Sequence, residues 1–207
     1  MSSQRYVFNI RTELDNAINA WIADESSARQ IYGDINTWDV SKITSFNYLF
    51  ALKNTFNSDI SNWDVGSGTS FNAMFFGASH FNQDISNWDV SEGTNFNSMF
   101  GAASSFNQDI SNWDVSRSLD FSGMFYRAST FNQDIRSWDV SNAEKFLRMF
   151  MYASSFDQDI RTWNVSAEIN GYYGFSNMFL GAHKMVSRGW QSDPVSSSNS
   201  IWFIGKT

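Results

Sequence analysis

Carboxylates recur along this 207-residue chain in two registers, each repeating every 25 residues. One register holds Asp64, Asp89, Asp114 and Asp139, with Asn62, Asn87 and Asn112 two residues ahead of the first three. The other holds Asp34, Asp59, Asp84, Asp109, Asp134 and Asp159. In the first, amide and carboxylate alternate with apolar residues, as in Asn87-Trp88-Asp89-Val90, which places them on one side of an extended segment. Like charges stacked one repeat apart repel by roughly 1 kcal/mol even in water. Donors of the same repeat, a basic protein partner or a calcium ion could offset that repulsion. The calcium reading has the least behind it, because the glycine-rich nonapeptide of calcium-binding repeat proteins is missing from the sequence. The second register lies among Asn, Gln and Ser and reads as turn chemistry, with each Asp accepting from a nearby backbone amide.

Residue types for catalysis are scarce. His80 and His183 are the only histidines, cysteine is missing, and neither histidine has a serine partner at a diagnostic spacing. Paired carboxylates can cleave glycosides, but a reacting pair interrupts a repeat, whereas here the same Asp returns until Asn164 replaces it in the last copy. The expectation is a protein that is not an enzyme and needs no cofactor. The one sequon, Asn164-Val165-Ser166, matters only to a secreted chain.

The elements that carry these residues are copies of one unit. Trp38, Trp63, Trp88, Trp113, Trp138 and Trp163 recur at a spacing of 25 without a slip. The copies run 31–55, 56–80, 81–105, 106–130 and 131–155, then a longer sixth, 156–184. Counting the Phe of Phe81-Asn82-Gln83-Asp84 as position 1, apolar residues fall at positions 1, 5, 8, 10, 16, 19, 20 and 23. Positions 8 and 10 alternate as in a strand, and positions 16, 19, 20 and 23 have helical spacing. A serine at position 11 (Ser41, Ser91, Ser116, Ser141, Ser166), or Gly66 in the second copy, stands where a helix N-cap belongs. The spacing therefore predicts an α/β solenoid of six strand-turn-helix coils, with a parallel sheet on its concave face and the Asn/Asp row displayed there.

Residues 1–30 read as an N-terminal cap, a short strand at 6–10 and a helix from Thr12 with Leu14, Ala17, Ile18 and Trp21 on its buried side. The sixth copy carries four extra residues around Tyr172 and Tyr173, a bulge that could make contacts. Residues 185–207 form a C-terminal cap or docking strand, in which Ile201, Trp202 and Phe203 would cover the last coil or another subunit. Position 21 (Ala51, Phe76, Gly101, Tyr126, Met151, Leu180) reads as packing between neighbouring coils or as a contact patch.

A net charge of -7 and a pI near 4.7 argue against nucleic-acid binding. No stretch approaches a membrane span. Met1–Ile10 lacks the apolar core of a secretory signal, so an intracellular or virion-associated location is expected over secretion. Charge is uneven: residues 56–105 hold five acidic side chains and no Lys or Arg, while Arg117, Arg127, Arg136, Lys145, Arg148 and Arg161 follow.

The unit Phe81–Ser105, FNQDISNWDVSEGTNFNSMFGAASS, resembles the BspA-like surface-protein repeat across 31–184, and the lead-in before it is similar to that of microalgal and viral members. That resemblance implies a leucine-rich-repeat-like fold and, for bacterial members, adhesion at the cell surface. The expected function is protein recognition or adhesion through Asp64, Asp89, Asp114, Asp139, Asn62, Asn87 and Asn112. The alternative is a self-associating structural subunit of a filament, shell or virus particle, joined through Tyr172, Tyr173, Ile201, Trp202 and Phe203.

Overall fold

The structure, a computed structural model, describes residues 5–165 and 174–187. Each repeat closes one coil, and its eight apolar positions point inward. From the second coil to the sixth every one of them is buried, and the six repeating indoles are at most 3% exposed. Phenylalanines stack in columns that run from coil to coil. Position 16 stacks at 5.3–5.9 Å from Phe46 to Phe175, position 20 at 5.3–5.8 Å from Phe50 to Phe179, and position 1 at 5.9–6.1 Å from Phe56 to Phe156.

The expected α/β solenoid with a parallel sheet is not what forms. Among the described residues there is no strand. Parallel pairing is confined to single bridges, Val7 with Asp39 and then Ser45, Ser70, Asn95, Asp120 and Lys145 in succession. The leucine-rich-repeat reading fails with it. The reason lies in where the backbone donors go. In the third coil the Trp88 N–H donates to the Ile85 carbonyl, the Ser91 N–H to the Asp89 carboxylate and the Gly93 N–H to the Val90 carbonyl, so the supposed strand spends its donors on its own turns.

Among the described residues the helices expected at positions 16–23 are missing too. Positions 16–23 fold as linked turns in which donors alternate between two destinations. In the second coil the N–H groups of Phe71, Ala73, Phe75 and Gly77 donate to carbonyls of Asn95, Asn97, Met99 and Gly101 in the next coil. Those of Met74, Phe76 and Ala78 donate three residues back in their own coil. This alternation requires left-handed backbone at positions 18 and 22, where φ runs from +52° at Ala73 to +73° at Gly181. Nine of those residues are not glycine, a conformation that costs an L-residue about 1–2 kcal/mol. The described position-11 serines are not helix caps, and Ser166 lies outside the described residues. Ser41, Ser91, Ser116 and Ser141 close Asp-anchored turns instead.

Side chains join the coils where the backbone does not. Each indole N–H from Trp63 to Trp163 donates to the position-5 carbonyl one coil back, Ile35, Ile60, Ile85, Ile110 and Ile135, at 2.8–3.2 Å. Each position-2 amide oxygen from Asn57 to Asn132 accepts the backbone N–H of the same position one coil on, at 2.8–2.9 Å.

The N-terminal end is closed by two helices rather than one: α1, Arg11–Ala23, which begins at Arg11 without a side-chain cap, and α2, Glu25–Tyr32, capped by Asp24. The expected strand at 6–10 is the single bridge at Val7. Leu14, Ala17, Ile18 and Trp21 bury themselves on the first coil as the spacing predicts. Arg11 takes the place of a missing coil, because its guanidinium donates to the Ser45 and Asn47 carbonyls at 2.8 and 2.7 Å. Those positions accept backbone N–H groups in every later coil through the sixth. A last short helix, α3, spans His183–Ser187.

Two outcomes follow for urea-induced unfolding. Trp113→Phe keeps an aromatic side chain but removes the indole N–H bonded to Ile85 and part of the buried volume, and should lower stability by roughly 1–3 kcal/mol. Arg11→Met strips the donors from the end of the ladder, and a loss of roughly 1–3 kcal/mol is expected; an unchanged midpoint would show that the end carbonyls do not need the fork.

Candidate functional site

The Asn/Asp row stands exposed at one corner of the coils, with Asn62, Asp64, Asn87, Asp89, Asn112, Asp114 and Asp139 all facing solvent. It is not the concave face of a sheet, since that corner has no sheet and the closest backbone approach between coils is across positions 14–22. Each carboxylate is anchored by its own coil. The N–H two residues on donates to Asp64, Asp89, Asp114 and Asp139 at 3.0–3.1 Å, and the Ser91 hydroxyl adds a bond to Asp89 at 2.7 Å. Neighbouring carboxylates converge over Gly66, where an added Cβ would stand 3.3 Å from Asp64 Oδ1 and 3.4 Å from Asp89 Oδ2. Two oxygens make no cage for calcium, and among the described residues no cluster of three His, Cys, Asp or Glu could hold a metal ion.

The second register behaves as turn chemistry, as read from the sequence. Asp59, Asp84, Asp109, Asp134 and Asp159 each accept the N–H two residues on. In the last two coils an arginine also pairs with the Asp two residues before it, Arg136 with Asp134 and Arg161 with Asp159. His80 bonds the Asn54 carbonyl at 2.6 Å and lies 3.3 Å from the Ser79 hydroxyl, a surface tie without a base-and-nucleophile geometry. Tyr172, Tyr173, Ile201, Trp202 and Phe203 lie outside the described residues.

A second face lies along positions 16–23 and takes in position 21, which the sequence offers as coil packing or a contact patch. Tyr48, Leu52 and Tyr152 are exposed there, and Phe76, Tyr126 and Met151 are half-buried. Arg127 sits 5.2 Å from the Tyr126 ring centroid and 5.5 Å from that of Tyr152. The sequence did carry its signal: no Asp or Glu occupies positions 16–23 in any copy, whereas Lys53, Arg127 and Arg148 do.

Several anchored carboxylates have pKa values below the ordinary range. The Ser41 hydroxyl lowers Asp39 and the Ser116 hydroxyl lowers Asp114; the Ser86 amide lowers Asp84, and the Arg136 guanidinium lowers Asp134. Arg161 lowers Asp159 to about 2. Because folding depresses these values, their contribution is complete above the unfolded pKa of about 3.9 and drains away as pH falls toward the folded values. Thermal melts should be flat from pH 7 to about 5 and drop between about pH 4 and 2; replacing Arg161 with Gln should shrink the drop.

Two stretches of the chain, 22–120 and 94–190, match a family described as "Mycoplasma protein of unknown function, DUF285". Neither a curated protein nor a solved structure matches the sequence. The double match reflects the internal repeat, and together the two stretches span well over half of the sequence. The chain is a repeat protein of the DUF285 family.

Proposed function

We propose that this protein is a non-catalytic recognition module that displays the same exposed carboxylate and amide groups on successive coils to a protein partner. The observation that carries the reading is the preorganised row. Asp64, Asp89, Asp114 and Asp139 are each held by an amide of the same coil and yet remain exposed. Groups fixed before binding lose little freedom on complex formation. The repeat's resemblance to BspA-like surface proteins supports adhesion as the form that recognition takes. A second reading, a structural subunit of a filament, shell or virus particle, is favoured by the uneven charge along the stack, which suits head-to-tail association.

Two measurements test these readings. Sedimentation at rising concentration should give a stable monomer for the recognition module, whereas growing chains would favour the subunit. In capture experiments from the native source, the triple variant Asp64→Asn, Asp89→Asn, Asp114→Asn should lose a partner that the wild type holds. A variant that keeps every partner removes this row as the binding surface.

A further inference from the structure

We infer that the face built from positions 16–23 is a second docking surface, and that its occupant is a segment of a partner protein bearing carboxylates beside apolar side chains. The inference rests on the recognition reading for the class of partner, but it uses a different face of the molecule.

Three observations converge on it. The first is shape. Position 21 is Phe76 in the second coil and Tyr126 in the fourth, but Gly101 in the third. Phe76 leans across that gap, so that a Cβ on Gly101 would stand 2.8 Å from its Cδ2. Beside it, over positions 17 and 18, where Ser98 and Gly123 are small, lies a groove of about 320 Å³ lined by Phe76, Ser98, Ser122, Gly123, Tyr126 and Arg148, among others. It is wide enough to take an apolar side chain.

The second observation is charge. The chain carries a net charge of -7, yet this face holds Arg127 and Arg148 and no carboxylate, while Lys53, at its N-terminal end, donates to Asn19 of α1. Asp120, at its edge, accepts the Ser122 N–H and pairs with Lys145. Arg127 is held by tyrosine rings rather than by an acid, and Arg148 has no ion pair among the described residues. Aromatic residues, Met and Arg without Asp or Glu is the composition of an interface centre, where an arginine awaits a carboxylate from outside. The Asn/Asp row has the opposite composition.

The third is conformation. Tyr48, Leu52, Arg127, Arg148 and Tyr152 all sit on left-handed backbone, where Gly77, Gly123 and Gly181 show that glycine serves. Tyr48 is 63% exposed and Leu52 68%. Burial within this chain therefore does not offset the strain of carrying large side chains there, whereas contact with a partner would.

The test uses the purified full chain and a fluorescein-labelled peptide of about a dozen residues made of Glu, Ser and two Phe. Its controls replace Glu with Lys, or Phe with Ser. Fluorescence anisotropy should show saturable binding of the Glu/Phe peptide, weakening roughly tenfold with Arg148→Glu and further in the double variant with Arg127→Glu. Both controls should bind poorly. Arg148→Gly, which suits the left-handed backbone, should lose affinity as well, so a loss cannot be ascribed to misfolding. The Asp64, Asp89, Asp114 triple Asn variant should bind the peptide like the wild type, which separates this surface from the Asn/Asp row. The inference is overturned if no saturable binding occurs, if the Lys peptide binds equally well, or if the arginine variants bind unchanged. It is also overturned if sedimentation of the protein alone reveals a dimer that Arg148→Glu dissolves, because the occupant would then be a second copy.

Discussion

The structure depends on an alternation in the backbone. Along positions 16–22 every second N–H is given to the next coil; of those between, positions 19 and 21 turn back three residues and position 17 donates to a side-chain oxygen. Buried peptide groups must be paired, and neither a helix nor a sheet does so here. A helix would keep all its bonds at home and leave the coils unconnected. A sheet would send all of them across and prevent the turns that close each coil. The alternating scheme does both, at the cost of left-handed residues at positions 18 and 22. Those residues in turn point their side chains away from the core, which creates the exposed aromatic and arginine-bearing face.

Aromatic columns make that scheme worthwhile. Phenylalanine rings at positions 1, 16 and 20 stack through successive coils, and position 20 of each coil meets position 1 of the next face to face at 3.8–4.0 Å. Burial of such rings supplies the driving force that a 25-residue loop lacks alone. At the tryptophan corner, where rings are 6.4 Å apart, the indole N–H reaches the preceding coil and replaces the missing backbone bond. The same problem at the N-terminal end is met by Arg11, whose fork satisfies two carbonyls that have no preceding coil to accept from.

The consequence for recognition is a surface with two unlike faces. One presents carboxylates already anchored by their own amides, as with Asp89 and Ser91. The other presents rings and guanidinium groups around a groove over positions 17 and 18, lined by Ser98, Gly123 and Arg148 among others. The carboxylate row repeats with the coil, whereas the second face changes its side chains from one coil to the next.

The sequence by itself determined which residues are inside. The eight apolar positions of each unit, the buried stripe of α1 and the turn role of Asp84 and its equivalents could all be read from spacing. It also carried the lack of Asp and Glu along positions 16–23, although that absence has no meaning until those residues share a face. Only the tertiary structure decided the backbone. Positions 16, 19, 20 and 23 have helical spacing, but alternating right- and left-handed turns place the same residues inward. Trp88 and Val90 alternate as a strand does, while their donors are spent within the coil. Periodicity records which side chains avoid water; where a peptide N–H finds its acceptor is settled by the neighbouring coil, and that neighbour exists only once the chain has folded.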